Sequence, residues 1–282
     1  MNTDTMSFPK DFVITQPTKD YTPADHETWR TLYRRQADIL PGRACNQFLQ
    51  GLEKLGIGAE GIPDFDRASE VLNRATGWRL VAVPGLIPED AFFTHLSNRR
   101  FPVTWWIRKP EQMDYLQEPD VFHDFFGHVP LLVNPIFADY MQAYGHGGMR
   151  ALEFGTLANL ARLYWYTVEF GLIKSDQGLR IYGSGILSSK GETLFSLESA
   201  APNRIAFDLK RILRTRYRID TYQKSYFVIE SFDQLFEETI VDFASYYRDP
   251  ELKTEIDAGA VLLEDGVITL GTGEGWANTP DI

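Results

Sequence analysis

Residues 120–130 read Asp120-Val121-Phe122-His123-Asp124-Phe125-Phe126-Gly127-His128-Val129-Pro130. Two histidines stand five residues apart among three phenylalanines. On an unbroken α-helix that spacing turns the two side chains about 140° apart, a poor match for one metal ion. Gly127 and Pro130 alter the expectation, because a helix that ends near Gly127 lets His128 swing back toward His123. A bent His-x4-His of this kind presents two imidazoles to one ion. It is not the motif of a helical zinc protease, which spaces its histidines one residue closer and uses Glu as general base. Here Asp124 follows the first histidine instead.

A third ligand is found further along, in Leu163-Tyr164-Trp165-Tyr166-Thr167-Val168-Glu169-Phe170-Gly171. Glu169 is a carboxylate among aromatic and aliphatic neighbours, and burying its charge there costs several kcal/mol unless a cation meets it. Two histidines and one carboxylate, with open positions opposite, suit non-haem Fe(II) that activates O2. On spacing alone, an ordinary pair of core or surface histidines and a boundary carboxylate capped by water are the competing readings.

Composition bounds the rest. The 282 residues are 44% hydrophobic and 24% charged, enough apolar material for a sizeable core. No apolar run approaches the roughly 18 residues of a membrane span. The first ten residues, MNTDTMSFPK, hold no apolar signal core. A cytoplasmic protein without a membrane partner is expected. The lone Cys45 excludes an internal disulfide and a Cys-based metal site. Net charge is −11, and residues 230–282 carry 13 acidic against 2 basic side chains, so the rest of the chain is balanced. Nucleic acid, which needs a basic footprint, is not an expected partner. The cluster Lys210, Arg211, Arg214, Arg216 and Arg218 reads as a solvated helix end rather than a binding patch.

Periodicity predicts an irregular arm over 1–22, then helices from Pro23 to about Ile39, at 44–55 and at 64–76. Strands follow at 78–83 and 101–107, with a helix between them from Pro88 to Leu96. Further helices are expected at 118–127, 134–144, 151–172 (the longest) and 231–247, and short β pieces at 180–182 and 225–229. The acidic tail 256–282 has the form of a β-hairpin turning at Glu264-Asp265-Gly266. The fold class is mainly α with small β content (α+β). No βαβ repeat is visible, and residues 23–255 form one catalytic domain.

Three segments, PDVFHDFFGHVPLL (119–132), YWYTVEFGLIK (164–174) and YGSGILSSKGE (182–192), resemble the tetrahydropterin-dependent aromatic amino acid hydroxylases. The likeness runs in order from about residue 20 to 245 and is strongest to the bacterial members that act on phenylalanine. It implies a mainly helical fold around a deep iron pocket. It puts the Fe(II) ligands at His123, His128 and Glu169. Arg108, at a strand end, would hold the substrate carboxylate, since guanidinium grips carboxylate bidentately, and Asp120 could orient it. Trp165, Phe170 and Pro119 would build the aromatic slot, with Ser188 and Ser189 at its substrate end; either serine also suits a helix cap. Gly85, Ile87, Phe92 and Asp124 would hold the pterin, Phe92 by stacking. Asp124 is one methylene shorter than the Glu of many animal relatives, and a bridging water could restore its contact.

The activity implied is hydroxylation of L-phenylalanine to L-tyrosine, with two electrons from the tetrahydropterin. One oxygen atom of the O2 co-substrate goes to the pterin and one to the ring. Val228, where tyrosine-hydroxylating members carry Asp, favours phenylalanine. Tryptophan or tyrosine as substrate is the alternative within the family, and a zinc-dependent hydrolase the distant one. A monomer is implied, because the tail lacks the long heptad helix with which the animal relatives tetramerise.

Overall fold

The chain begins its regular structure where a capping box forms. In this computed structural model, which describes residues 10–114, 118–240, 245–246 and 248–274, Thr22 caps α1 (Pro23–Ile39). The Asp25 amide donates to Thr22 Oγ1 (3.2 Å) and the Thr22 amide to Asp25 Oδ2 (2.8 Å). α2 (Asn46–Leu55) and α3 (Phe65–Thr76) stop at the left-handed glycines Gly56 and Gly77. β1 (Arg79–Val83), α4 (Glu89–Ser97) and β2 (Arg100–Thr104) then make one right-length crossover with parallel strands. The sequence shows no βαβ repeat because this unit occurs once. The arm lies along it, with the Ile14 amide donating to Ala82 O (2.9 Å).

The segment 120–130 starts with a π-helical turn, Phe122–His128, followed by a 3₁₀ turn, Val129–Val133. Its three phenylalanines anchor it. Phe122 meets Trp29 edge-on (5.2 Å) and stacks on Phe126 (4.7 Å), Phe126 meets Phe48 (5.7 Å), and Phe125 stacks on Phe65 (5.6 Å). These rings come from α1, α2 and α3, and their burial is the largest hydrophobic term holding the turn in place.

α5 runs Pro135–Phe154, ten residues past the expected stop at Tyr144. Gly145 and Gly148 do not end the helix but let it touch α4. A Cβ on Gly148 would overlap the Phe93 ring, and one on Gly145 the Ser97 amide. The single long helix expected over 151–172 is instead broken at Gly155 (φ 66°). It resumes as α6 (Leu157–Tyr164) and passes into a second π-helical turn, Trp165–Glu169.

β3 (Leu172–Ser175) and β4 (Gly178–Ile181) form a hairpin. α7 (Ser184–Leu187), α8 (Lys190–Glu198), β5 (Asn203–Ala206), α9 (Leu209–Arg214), β6 (Ser225–Ile229), α10 (Phe232–Thr239) and β7 (Val267–Thr269) complete the described elements. The second sheet has the order β4-β3-β6-β5-β7. The fold is thus mainly helical with limited sheet. The helix expected over 231–247 is seen as α10, and residues 241–244 and 247 lie outside the described residues.

The tail hairpin does not form. β7 adds antiparallel to β5 instead of to residues 260–263. Arg211 is buried under the tail, with its Nε donating to Asp265 Oδ1 (2.8 Å) and its Nη2 to Ala260 O (2.7 Å), while Asp265 also closes the local turn by accepting from the Leu262 amide (2.8 Å). The rest of the basic cluster is met mostly by the same acidic segment: Lys210 by Asp249 and Glu251 (2.8 Å each) and Arg216 by Asp257 (2.8 Å). It is neither a free helix end nor an open patch.

Gly51 of α2 faces the carbonyl of Pro130, two residues past His128, and a Cβ there would overlap backbone that no side-chain rotation can clear. Gly51→Ala is expected to destabilise the fold by about 1–3 kcal/mol, read as a lower Tm in thermal unfolding followed by circular dichroism. An unchanged Tm would show that this contact has slack.

Candidate metal centre and the slot beside it

The π-helical turn explains how the two histidines meet. A backbone bonded i→i+5 is wider than an α-helix, so residues five apart fall on one face. The helix does not end at Gly127, as the sequence suggests. Gly127 lets α7 approach instead, and a Cβ there would lie 3.0 Å from Ser184 O. His123 Nε2 and His128 Nε2 are 3.3 Å apart. The second π-helical turn brings Glu169 to them, with Oε1 3.2 Å from His128 Nε2 and Oε2 3.6 Å from His123 Nε2. All three donor atoms lie within 4.8 Å of one another.

Burial alone would push Glu169 up, but the imidazoles of His128 and His123 outweigh it and hold the carboxyl well below the usual range. Burial pushes His123 down, and the neighbouring carboxylate more than reverses this. Two imidazole nitrogens and a carboxylate oxygen converging on one point are a donor set for a divalent transition metal.

The ligands are braced from α7. Ser188 Oγ lies 3.0 Å from His123 Nδ1 and donates to Ser184 O (2.8 Å). With its own proton committed, Ser188 accepts from Nδ1–H, which leaves Nε2 as the free lone pair. Ser184 Oγ lies 2.9 Å from Glu169 Oε2 and 3.0 Å from His128 Nε2. Tyr164 stacks beside His128 (6.1 Å).

On the other side, Arg108 is gripped by Asp120. Its Nε and backbone N donate to Oδ2 (2.8 and 2.9 Å) and Nη2 to Oδ1 (2.9 Å). Asp120 is fully buried. Burial pushes its carboxyl up, but Arg108 holds it below the ordinary value. The same Oδ1 accepts from the His123 amide (3.0 Å), so the guanidinium and the first histidine share one anchor.

Beside Glu169, Trp165 stacks on Tyr217 (4.4 Å) and tilts against Phe170 (4.8 Å). Its Nε1 donates to Gln223 Oε1 (2.9 Å). Gln223 is tied in turn to Glu192, whose Oε1 accepts from the Gln223 amide (3.1 Å) and the Tyr226 hydroxyl (2.7 Å). Pro119 is half-buried next to Asp120.

The two serines of the Leu187-Ser188-Ser189 segment part company. Ser188 braces His123, whereas Ser189 caps α8 and accepts from the Glu192 amide (3.3 Å). Gly85 and Ile87 sit half-buried on the loop between β1 and α4. Phe92, on α4, meets Tyr164 edge-on (5.9 Å), one ring removed from His128. Asp124 is buried, and burial pushes its carboxyl up; its Oδ2 accepts from the Thr104 amide (2.8 Å), tying the histidine turn to β2. Val228 is buried within the second sheet. Sequence reading passed over Ser184, Tyr164, Gln223 and Glu192. Ser184 was legible in principle, since it precedes Ser188 by four residues and shares its helical face.

A family profile described as biopterin-dependent aromatic amino acid hydroxylase matches residues 8–254. The phenylalanine-4-hydroxylase of Ralstonia nicotianae is 63% identical over 272 residues, covering 96% of this chain and 87% of that protein. The crystal structure of Chromobacterium violaceum phenylalanine hydroxylase with iron and phenylalanine bound is similar at TM-score 0.88 and 59% identity, over 92% of this chain and 94% of that one. The cobalt-bound structure of that protein matches at TM-score 0.91 and 60% identity, over 93% and 95%.

Ser188→Ala removes the acceptor for His123 Nδ1–H and is expected to weaken metal binding by about 10–100-fold. Anaerobic titration of the apoprotein with Fe(II) or Co(II) measures this. Ser189→Ala should leave the affinity near wild type and lower Tm, as expected of a cap. Equal metal affinity in Ser188→Ala and wild type would remove Ser188 from the metal's support.

Proposed function

The chain belongs to the biopterin-dependent aromatic amino acid hydroxylases, and from that premise we propose that it hydroxylates L-phenylalanine to L-tyrosine, with Fe(II), a tetrahydropterin and O2. The observation that carries the reading is the convergence of His123, His128 and Glu169. In this reading they hold the iron, which with the reduced pterin supplies the activation of O2 and the two-electron reduction that the reaction needs. Everything else falls to the protein as placement.

Arg108 holds the substrate carboxylate. Asp120 occupies its Nε and Nη2, so the Nη1 edge is left for the ligand. Removing Arg108 would strand a buried carboxylate as well as the substrate. Trp165 and Phe170, with Pro119 flanking, wall the aromatic slot beside Glu169. Ser188 serves this site through His123, and Ser189 through the start of α8. Gly85, Ile87 and Phe92 receive the pterin ring, Phe92 by stacking. Asp124 keeps one oxygen for β2 and offers the other to the pterin.

No helix among the described residues is long and apolar enough to cross a membrane. With the acidic tail folded onto its own basic cluster, we read residues 23–255 as the catalytic domain of a cytoplasmic monomer.

The purified, Fe(II)-loaded protein should convert phenylalanine to tyrosine only when a tetrahydropterin and O2 are both supplied, with products read by chromatography. Tryptophan or tyrosine consumed in preference would shift the substrate assignment. Glu169→Gln should lose iron and activity together, and normal turnover with full iron would refute the ligand set. Arg108→Lys keeps the charge but not the bidentate fork, and should raise KM for phenylalanine by about tenfold or more, with a smaller change in kcat. An unchanged KM would count against its role.

A further inference from the structure

Among the described residues, no charged side chain is hydrogen-bonded to the carboxylate of Glu192. It is buried at 3% exposure, and its pairing with Tyr226 and the Gln223 amide leaves burial free to push it up to about 7. An apolar side chain would fill such a place at less cost. What the carboxylate holds is the start of a chain of contacts that ends at the slot. Glu192 Oε1 fixes the Gln223 backbone, and Gln223 Nε2 donates to Arg218 O (3.0 Å), which fixes the amide's orientation. Gln223 Oε1 is thereby aimed at Trp165 Nε1 (2.9 Å). The Trp165 indole sits between Tyr217 and Phe170, and stacking alone would let it slide in its own plane. Among the described residues, the Nε1 hydrogen bond is the polar contact that acts along the ring plane.

We propose that Glu192, acting through Gln223, is the positioning residue that fixes the Trp165 indole and so sets the size of the aromatic slot. The inference rests on the reading of Trp165 as a slot wall. It also ties the two halves of the site together, since Ser188 and Glu192 belong to one five-residue stretch. One end of it braces an iron ligand and the other braces the slot.

The test compares Glu192→Leu, Gln223→Leu, Glu192→Gln and Trp165→Ala in the iron-loaded enzyme. Steady-state kinetics are run with phenylalanine and tryptophan, together with Fe(II) affinity and Tm. Glu192→Leu and Gln223→Leu are expected to raise KM for phenylalanine about three- to tenfold, the scale of one lost hydrogen bond. Change in kcat should be smaller, and the preference for phenylalanine over the bulkier tryptophan should shrink. Glu192→Gln keeps an acceptor oxygen and should recover most of the lost KM. Should Glu192→Leu fail to fold, Gln223→Leu and Trp165→Phe, which deletes the indole N–H, carry the same comparison.

A lower Tm with KM and preference as in wild type would make Glu192 purely structural and overturn the proposal. If Trp165→Ala moves KM while the Glu192 and Gln223 variants do not, the slot stands and the positioning role falls. If Trp165→Ala is itself silent, the slot reading falls and takes the proposal with it.

Discussion

Four hydrogen bonds converge on the buried carboxylate of Asp120, three from Arg108 and one from the amide of His123. A buried ion pair of this kind is weak evidence for net stability, because desolvation consumes most of the attraction. Its consequence here is geometric. The end of the segment after β2 and the start of the histidine turn are fixed to one carboxylate, so the Arg108 guanidinium and the His123 backbone share a common anchor. The phenylalanines of the same turn hold it from the other side, against α1, α2 and α3. In the proposed reading, that shared anchor is what lets the site place an amino acid's ring and its carboxylate together.

The ligand triplet, the helix caps at Thr22 and Asp64 and the stops at Gly56 and Gly77 are all readable from residue type and spacing. The reason the histidines meet is not. Spacing arguments assume 3.6 residues per turn, and on that basis His123 and His128 diverge. The structure escapes the assumption with a π-helical turn, and uses a second one to deliver Glu169. Such turns are marked by no residue type and are imposed by the packing around them.

Two other misreadings share a cause. The helix expected to stop at Tyr144 runs on through Gly145 and Gly148, which are contact points between α5 and α4. Asp265-Gly266 does turn the chain, yet Arg211 from over fifty residues away also holds the aspartate and the strand after it pairs with β5 rather than with residues 260–263. In each case a tertiary partner overrode a local preference. Ser188 and Ser189 make the same point more finely: they are neighbours in sequence, and one turn of chain sends one to the metal side and the other to a cap.

The acidic tail closes the second sheet by pairing β7 with β5, and its Asp265 and Asp257 meet Arg211 of α9 and Arg216 just after it. Synthesis runs from the N-terminus, so every metal donor and every residue that braces one is made well before residue 267. Until the tail is made, the edge of β5 is bare and Arg211 lacks its Asp265 partner. β7 covers an edge of β5 whose open backbone groups could otherwise pair with another chain, so the tail removes an exposed sheet edge from the fold.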